Sequence, residues 1–372
     1  MERKILLIST LITLGAIAFL SGYLFMPNAE LERQTRQNFD QQNLGGQTGL
    51  ITERFNDKVE AGSSENKVPD IVPLSGRKFI AFVNQFSDSK KIVAVTANGE
   101  IIEIDLINLT EKVVSVGQAA LMEAVLSPAG DSLIYSFYDT RNNKKQGYLN
   151  FKKGESYDIV GNLKSAAFSP YGDQAAYLIS NEGGGEELLI AKDGKIIKQA
   201  FKTRLGAAII NWPSDFISIL SYGKDGFGNL FVLKNNGDLN KVLSRQYDLN
   251  VKWSPSGERV VFSAKSNDGS AQLFFKDAKN GGAITILGVN TEASKCVWAS
   301  EEGIICGVKN QLQLKDEFYK ISVNDGTKIP ASTPSINLLV KDLALNQSGD
   351  ILFVLNDIDD KLYALKIKEA KY

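Results

Sequence analysis

The side chains that most often carry chemistry are scarce or badly spaced in this chain. Histidine is absent altogether, which removes the commonest general base and a frequent metal ligand. No Ser-His-Asp or Cys-His arrangement can be assembled, and neither a GxxxxGK[ST] phosphate loop nor a GxSxG elbow occurs. The only two cysteines, Cys296 and Cys306, do not form a CxxC pair, and zinc is not expected without imidazole to complete a site. Ser87-Asp88-Ser89-Lys90 and Ser64-Glu65-Asn66-Lys67 match S-x-x-K, but they fall on a turn and in a polar segment rather than at a helix start. What remains is carboxylate chemistry. Two carboxylates a few ångströms apart can hydrolyse glycosides, and sequence alone does not show whether any pair among 43 acidic residues converges. The expectation is a chain that is not an enzyme and carries no cofactor, with a carboxylate-dependent glycoside hydrolase as the alternative.

Three further clusters invite a site and have a plainer reading. Asn356-Asp357-Ile358-Asp359-Asp360 is acidic enough for calcium, yet Lys361 follows and the segment fits a hairpin tip. Gly183-Gly184-Gly185 lies between Glu182 and Glu186, whose charges repel a phosphate, so it reads as another tip. Trp212, Trp253 and Trp298 fall at equivalent places in a repeat, which points to packing between repeats rather than to ligand clamps. Cys296 and Cys306 bracket a strand–turn–strand centred near Glu301, so either a cross-strand disulfide or two buried thiols is compatible with the spacing.

The elements that must position these groups repeat. Val251-Lys252-Trp253 reads as a strand, Ser254-Pro255-Ser256-Gly257-Glu258 as a turn, and Arg259 to Ala264 as a second strand. Asn267-Asp268-Gly269-Ser270 turns into Ala271 to Phe275, and Lys279-Asn280-Gly281-Gly282 into Ala283 to Leu287. The same frame recurs with its large residue at 86, 126, 168, 212, 253, 298 and 345, a period of 40 to 47 residues. The copy at Trp212 reads as a shortened one. A four-stranded unit at that period is the signature of a propeller blade. One such sheet cannot bury both faces alone, whereas a ring of them can. Seven blades are expected from about residue 69 to 372, with six as the alternative and an open sandwich as the competing architecture. The seventh unit lacks a fourth strand, and Asp70-Ile71-Val72-Pro73-Leu74 is placed to supply it, its prolines tolerable on an edge.

The turns Ser-Pro-Ala-Gly-Asp (127–131), Ser-Pro-Tyr-Gly-Asp (169–173) and Ser-Pro-Ser-Gly-Glu (254–258) resemble the repeats of TolB-like and WD-like propellers. They are similar also to those of the N-terminal propeller of dipeptidyl-peptidase-type proteins. The resemblance covers about residues 70–368, and the copies at Trp212, Trp298 and Leu345 depart from it by losing the proline or the glycine. It implies a binding module for proteins or peptides, with glycan or small-ligand binding as the alternative. Loops that vary between copies are the candidate contacts: Arg141 and Lys144 in one, and Lys224, Asp225 and Phe227 in another.

Ahead of the repeats, residues 5–26 contain no charge. As a helix they rise about 33 Å, enough to span a bilayer core. Arg3 and Lys4 place residues 1–4 in the cytoplasm and the rest outside. The run is longer than a cleaved signal's apolar core. Residues 27–68 are polar and Gly-containing and read as a stalk. Lys plus Arg number 42 against 43 acids, so no global field draws nucleic acid. The expected partners are a protein or peptide and, through the helix, the membrane.

Overall fold

In a computed structural model the protein is described at residues 70–85, 90–181, 183–266, 268–310 and 314–368. The expected cytoplasmic start, membrane helix and stalk lie outside these residues, as do Phe86 and the serines of both S-x-x-K matches. Among the described residues no helix is long and apolar enough to cross a membrane.

Twenty-eight strands form seven four-stranded antiparallel sheets. Blades 1 to 6 are meanders of consecutive strands spanning 81–116, 121–158, 162–203, 207–247, 250–286 and 296–332. Blade 7 takes three strands from 340–366, and its outermost strand is Ile71–Pro73. That strand pairs with Leu362–Lys366 in the register Ile71 to Leu365 and Pro73 to Tyr363. Pro73 costs nothing there, because one side of an edge strand needs no donor. Seven blades and a closed ring follow, as the repeat predicts.

Packing explains why the sheets need one another. The middle strands are buried on both faces, for example Gln174–Ser180, where five consecutive residues are buried. Seven apolar clusters result, one for each pair of neighbouring blades. One joins Phe82 and Ile92 of blade 1 to Phe353 and Leu362 of blade 7, so the closing seam has the same kind of core as the others. The blade 6–7 seam adds a polar tie. The fully buried Asp316 carboxylate accepts from the Val340 N–H at 2.7 Å and pairs with Lys295 at 2.9 Å.

The repeated turn is a hydrogen-bonded box. The Ser127 and Ser169 hydroxyls each donate to the aspartate four residues on, Asp131 and Asp173, at 2.7 Å. Ser127, Ser169 and Ser254 accept from the N–H five residues on, at 3.2 Å in each case. Asn346 does the same work in blade 7, accepting from the Ile351 N–H at 3.0 Å. The glycines of the Ser-Pro turns, Gly130, Gly172 and Gly257, take positive φ and press on the turn of the preceding blade. A Cβ on Gly130 would lie 2.5 Å from Gln85 Nε2, and one on Gly257 would lie 2.6 Å from Ser214 Cβ. Glycine is therefore required both by the local turn and by the fit between blades.

Blade 4 breaks this pattern, and its register corrects the sequence alignment. Asn211 pairs with Ser218 as Phe168 pairs with Ala175 and Trp253 with Val260. The blade 4 turn is thus as long as the others rather than shortened, and Pro213 matches Pro170 and Pro255. Trp212 stands in the serine position, one place after the tryptophans it was aligned with, and Asp215 stands in the glycine position. A one-residue displacement sends a side chain to the opposite face.

Candidate functional site

Antiparallel meanders place the connections of each blade at two ends. The loops between second and third strands share one end with the blade-to-blade connections, and the repeated Ser-Pro turns lie at the other. Arg141 and Lys144 on blade 2, and Lys224, Asp225 and Phe227 on blade 4, fall on the first of these ends, two blades apart. Arg141 is exposed on a tip where Asp139 Oδ1 accepts from the Arg141 and Asn143 N–H groups at 2.9 and 2.8 Å. Lys144 reaches inward to Glu123 of the innermost strand at 3.1 Å. Lys224 and Asp225 are exposed. Phe227 is half-buried; its ring packs on Tyr247 at 5.5 Å and under the Arg245 guanidinium at 4.9 Å. Its apolar surface is therefore largely spent on its own blade.

Between these loops the innermost strands of blades 2, 3 and 4 line a cavity of about 460 Å³. Met122, Val125 and Ile209 present exposed apolar surface to it. Glu123 sits among them, and the Ser136 hydroxyl at 2.7 Å, helped by Lys144, holds its carboxyl below the usual range. Lys164 faces the same space. Farther round the ring, Asp342 on the innermost strand of blade 7 has its carboxyl pushed up by burial, with Lys252 of blade 5 and the Leu343 N–H pulling the other way. The buried Glu186 carboxyl is likewise raised by desolvation, opposed by Lys164, and its Oε2 has no hydrogen-bond partner. Glu123, Lys164, Lys252 and Asp342 were not singled out from sequence. The signal was present: all four are charged residues within the first strand of a repeat, each with an apolar neighbour in the same strand.

The remaining candidates are accounted for one by one. In the acidic segment 356–360, Asn356 and Asp359 are bonded to each other at 2.8 Å, Asp359 accepts from the Tyr363 hydroxyl at 2.6 Å, and Asp360 pairs with Lys341 at 2.7 Å. Those oxygens are committed to a hairpin tip. Gly183 to Gly185 also lie on a tip, fastened by the Gly185 N–H donating to Asn181 Oδ1 at 2.9 Å. Cys296 and Cys306, directly opposite on neighbouring strands, are joined by a disulfide. Trp253 and Trp298 are 6% and 7% exposed and belong to the cores between blades 4 and 5 and between 5 and 6. Trp212 is half-buried and packs against the core between blades 3 and 4, so it shares the packing role expected of the three, though from the turn rather than from the strand end.

No family model matches the chain, and no curated protein matches it. Solved structures do. An oligogalacturonate lyase in complex with manganese superposes with a TM-score of 0.60 at 11% identity, covering 80% of this chain and 93% of that one. The β-propeller domain of the Trilobed protease from Pyrococcus furiosus, described as having an open velcro topology, gives 0.55 at 12% identity over 78% and 96% of the two chains. The C-terminal WD40 domain of Sif2 gives 0.51 at 10% identity over 80% and 99%. This chain has the β-propeller fold that its resemblance to TolB-like, WD-like and peptidase propellers implied. At these identities the likeness is one of fold.

The same neighbours correct the expectation that the chain is not an enzyme. The propeller fold found here also builds lyases and occurs in peptidases, so the fold does not set the chain apart from enzymes. The manganese of the lyase complex finds no counterpart site. Among the described residues no three Asp, Glu or Cys side chains converge as such an ion requires.

Proposed function

We propose that this chain is a cell-envelope protein, held by a membrane helix at residues 5–26, whose propeller stands outside the cytoplasm and binds a protein or peptide partner. The observation that carries the binding role is the apolar rim at the end bearing the blade-to-blade connections. Val116, Met122, Tyr138 and Val160 are exposed there around blades 1 and 2 and the connection to blade 3, Val160 to 84%. Ile209 continues the apolar surface into the cavity. Arg141, Lys144 and Lys145 flank it. Exposed apolar surface ringed by polar and charged groups is the usual composition of a protein contact. The disulfide supports the placement, since such bridges persist in oxidising compartments.

The test is site-specific photo-crosslinking of the full-length chain in its native membranes. A crosslinker in place of Val160 is expected to give a discrete adduct, and one in place of Lys153, on the opposite end of blade 2, to give none. Adducts of the same pattern from both positions, or from neither, would sink the reading.

A second reading rests on Asp342. A carboxyl on an innermost strand that burial pushes above its ordinary range, with the charge of Lys252 opposing the shift, is the kind of group that serves as a general acid in oligosaccharide cleavage. Release of shorter products from oligogalacturonate by the wild type but not by Asp342→Asn is the result that would favour it.

A further inference from the structure

The blade 4 turn leaves a gap that the turn glycines of blades 2, 3 and 5 fill at their own seams. Gly172 nests on Ala129 and Ser127 of blade 2, and Gly257 nests on Ser214 and Phe216 of blade 4. Between blades 3 and 4 the residue in the glycine position is Asp215. No residue of the blade 4 turn has positive φ, so it cannot reach the blade 3 turn in the same way. Two adjoining cavities of about 350 and 320 Å³ occupy the seam, and they share Gln174, Trp212 and Asn235.

The lining of the seam is aromatic and amide-rich. Tyr171 is 86% exposed at its edge. The indole N–H of Trp253 donates to Ser218 Oγ at 2.9 Å and that of Trp298 to the Lys252 carbonyl at 3.1 Å. The indole N–H of Trp212 has no partner among the described residues, and its ring borders both cavities. The side-chain amides of Gln174 and Asn235 and the Asp215 carboxylate are likewise without a protein partner there.

We propose that this seam is a binding site for a neutral oligosaccharide, stacked on Trp212 and Tyr171 and hydrogen-bonded by Gln174, Asn235 and Asp215. The C–H face of a pyranose ring packs on an aromatic plane. Its vicinal hydroxyls both donate and accept, which matches amides that do both and a carboxylate that only accepts. A proline-rich peptide shares the aromatic preference but offers mainly carbonyl acceptors, so Asp215 and the amide oxygens would go unanswered. The combined space is of the size that small-ligand sites occupy. The site lies at the opposite end of the ring from the proposed partner face and stands independently of it.

The experiment is calorimetric and fluorescence titration of the full-length chain in a detergent without a sugar headgroup. The probes are β-1,4-linked glucose oligomers, β-1,4-linked N-acetylglucosamine oligomers and a proline-rich peptide. Saturable binding of at least one oligosaccharide with a change in tryptophan emission is expected. Tyr171→Ala, on an exposed residue whose loss leaves the fold intact, is expected to weaken that binding about tenfold, equivalent to about 1.4 kcal/mol. Asn235→Ala is expected to weaken it as well. Ile209→Asp, in the channel, is expected to leave it unchanged, which separates this site from the partner face. Absence of binding to both sugar series, binding of the peptide alone, or wild-type affinity in both Tyr171→Ala and Asn235→Ala overturns the proposal.

Discussion

Asp342 and Glu186 are carboxyls that burial holds above their ordinary range. The folded chain therefore keeps protons that the unfolded chain releases, and stability falls as pH rises from the ordinary carboxylate range through their raised values. Asp342→Asn removes the ionisation without changing the shape. Its thermal midpoint is expected to exceed that of the wild type at pH 8 and to converge with it below about pH 4, where both states of the wild type are protonated. A wild-type midpoint that holds level with the variant's across that interval would show that Asp342 ionises freely. Asp316 is a structural tie. It is wholly buried, bonded to Val340 and paired with Lys295, so Asp316→Ala strands a lysine and a backbone donor. The expected loss is about 3–5 kcal/mol by denaturant titration.

At the scale of the element, the Ser-Pro turn is both a chain reversal and a contact between blades. Gly257 has φ +73°, and a Cβ there meets Ser214 and Phe216. Gly257→Ala is expected to cost at least the roughly 1–3 kcal/mol of a left-handed non-glycine residue, measured as a lower denaturation midpoint at unchanged slope. Gly269 has φ +81° with open space around it, so Gly269→Ala bears the backbone cost alone and is expected to lose less. The turns were legible in the sequence because serine, proline and glycine each answer a local demand. The blade 4 copy was misaligned for the same reason: a large aromatic before a proline looks like the strand-ending residue of the other repeats. Only pairing Asn211 with Ser218 shows that Trp212 has passed into the turn. The polar residues of the innermost strands were harder to read, since their role depends on facing a shared axis rather than on their neighbours in sequence.

At the scale of the whole molecule, the seven copies of the repeat pointed to seven blades, with six as the alternative, and the missing fourth strand of the last copy pointed to the borrowed one, because a ring of two-faced sheets has few ways to bury its surfaces. The candidate site was less legible. Loops were chosen for charge and variability, whereas the exposed apolar rim is assembled from single residues of separate blades, each unremarkable in its own segment. Closure rests on Ile71 and Val72, which are 8% and 3% exposed, and on the adjoining Leu74 at 3%. At about 1.5–3 kcal/mol for each buried aliphatic side chain, deleting 71–74 is expected to lower the melting temperature sharply. It also bares the edge of Leu362–Lys366, so concentration-dependent aggregation is expected by light scattering.

The borrowed strand also sets how the protein answers a pull. Every blade but the last is stitched through continuous chain, whereas blade 7 is completed by three residues, Ile71–Pro73, held by backbone hydrogen bonds and side-chain contacts alone. Tension applied through the chain ahead of Asp70 arrives at that strand before it reaches any other. The ring thus has a built-in mechanical fuse: under load it should part at this one clasp and spring into an open fan, with six blades still intact.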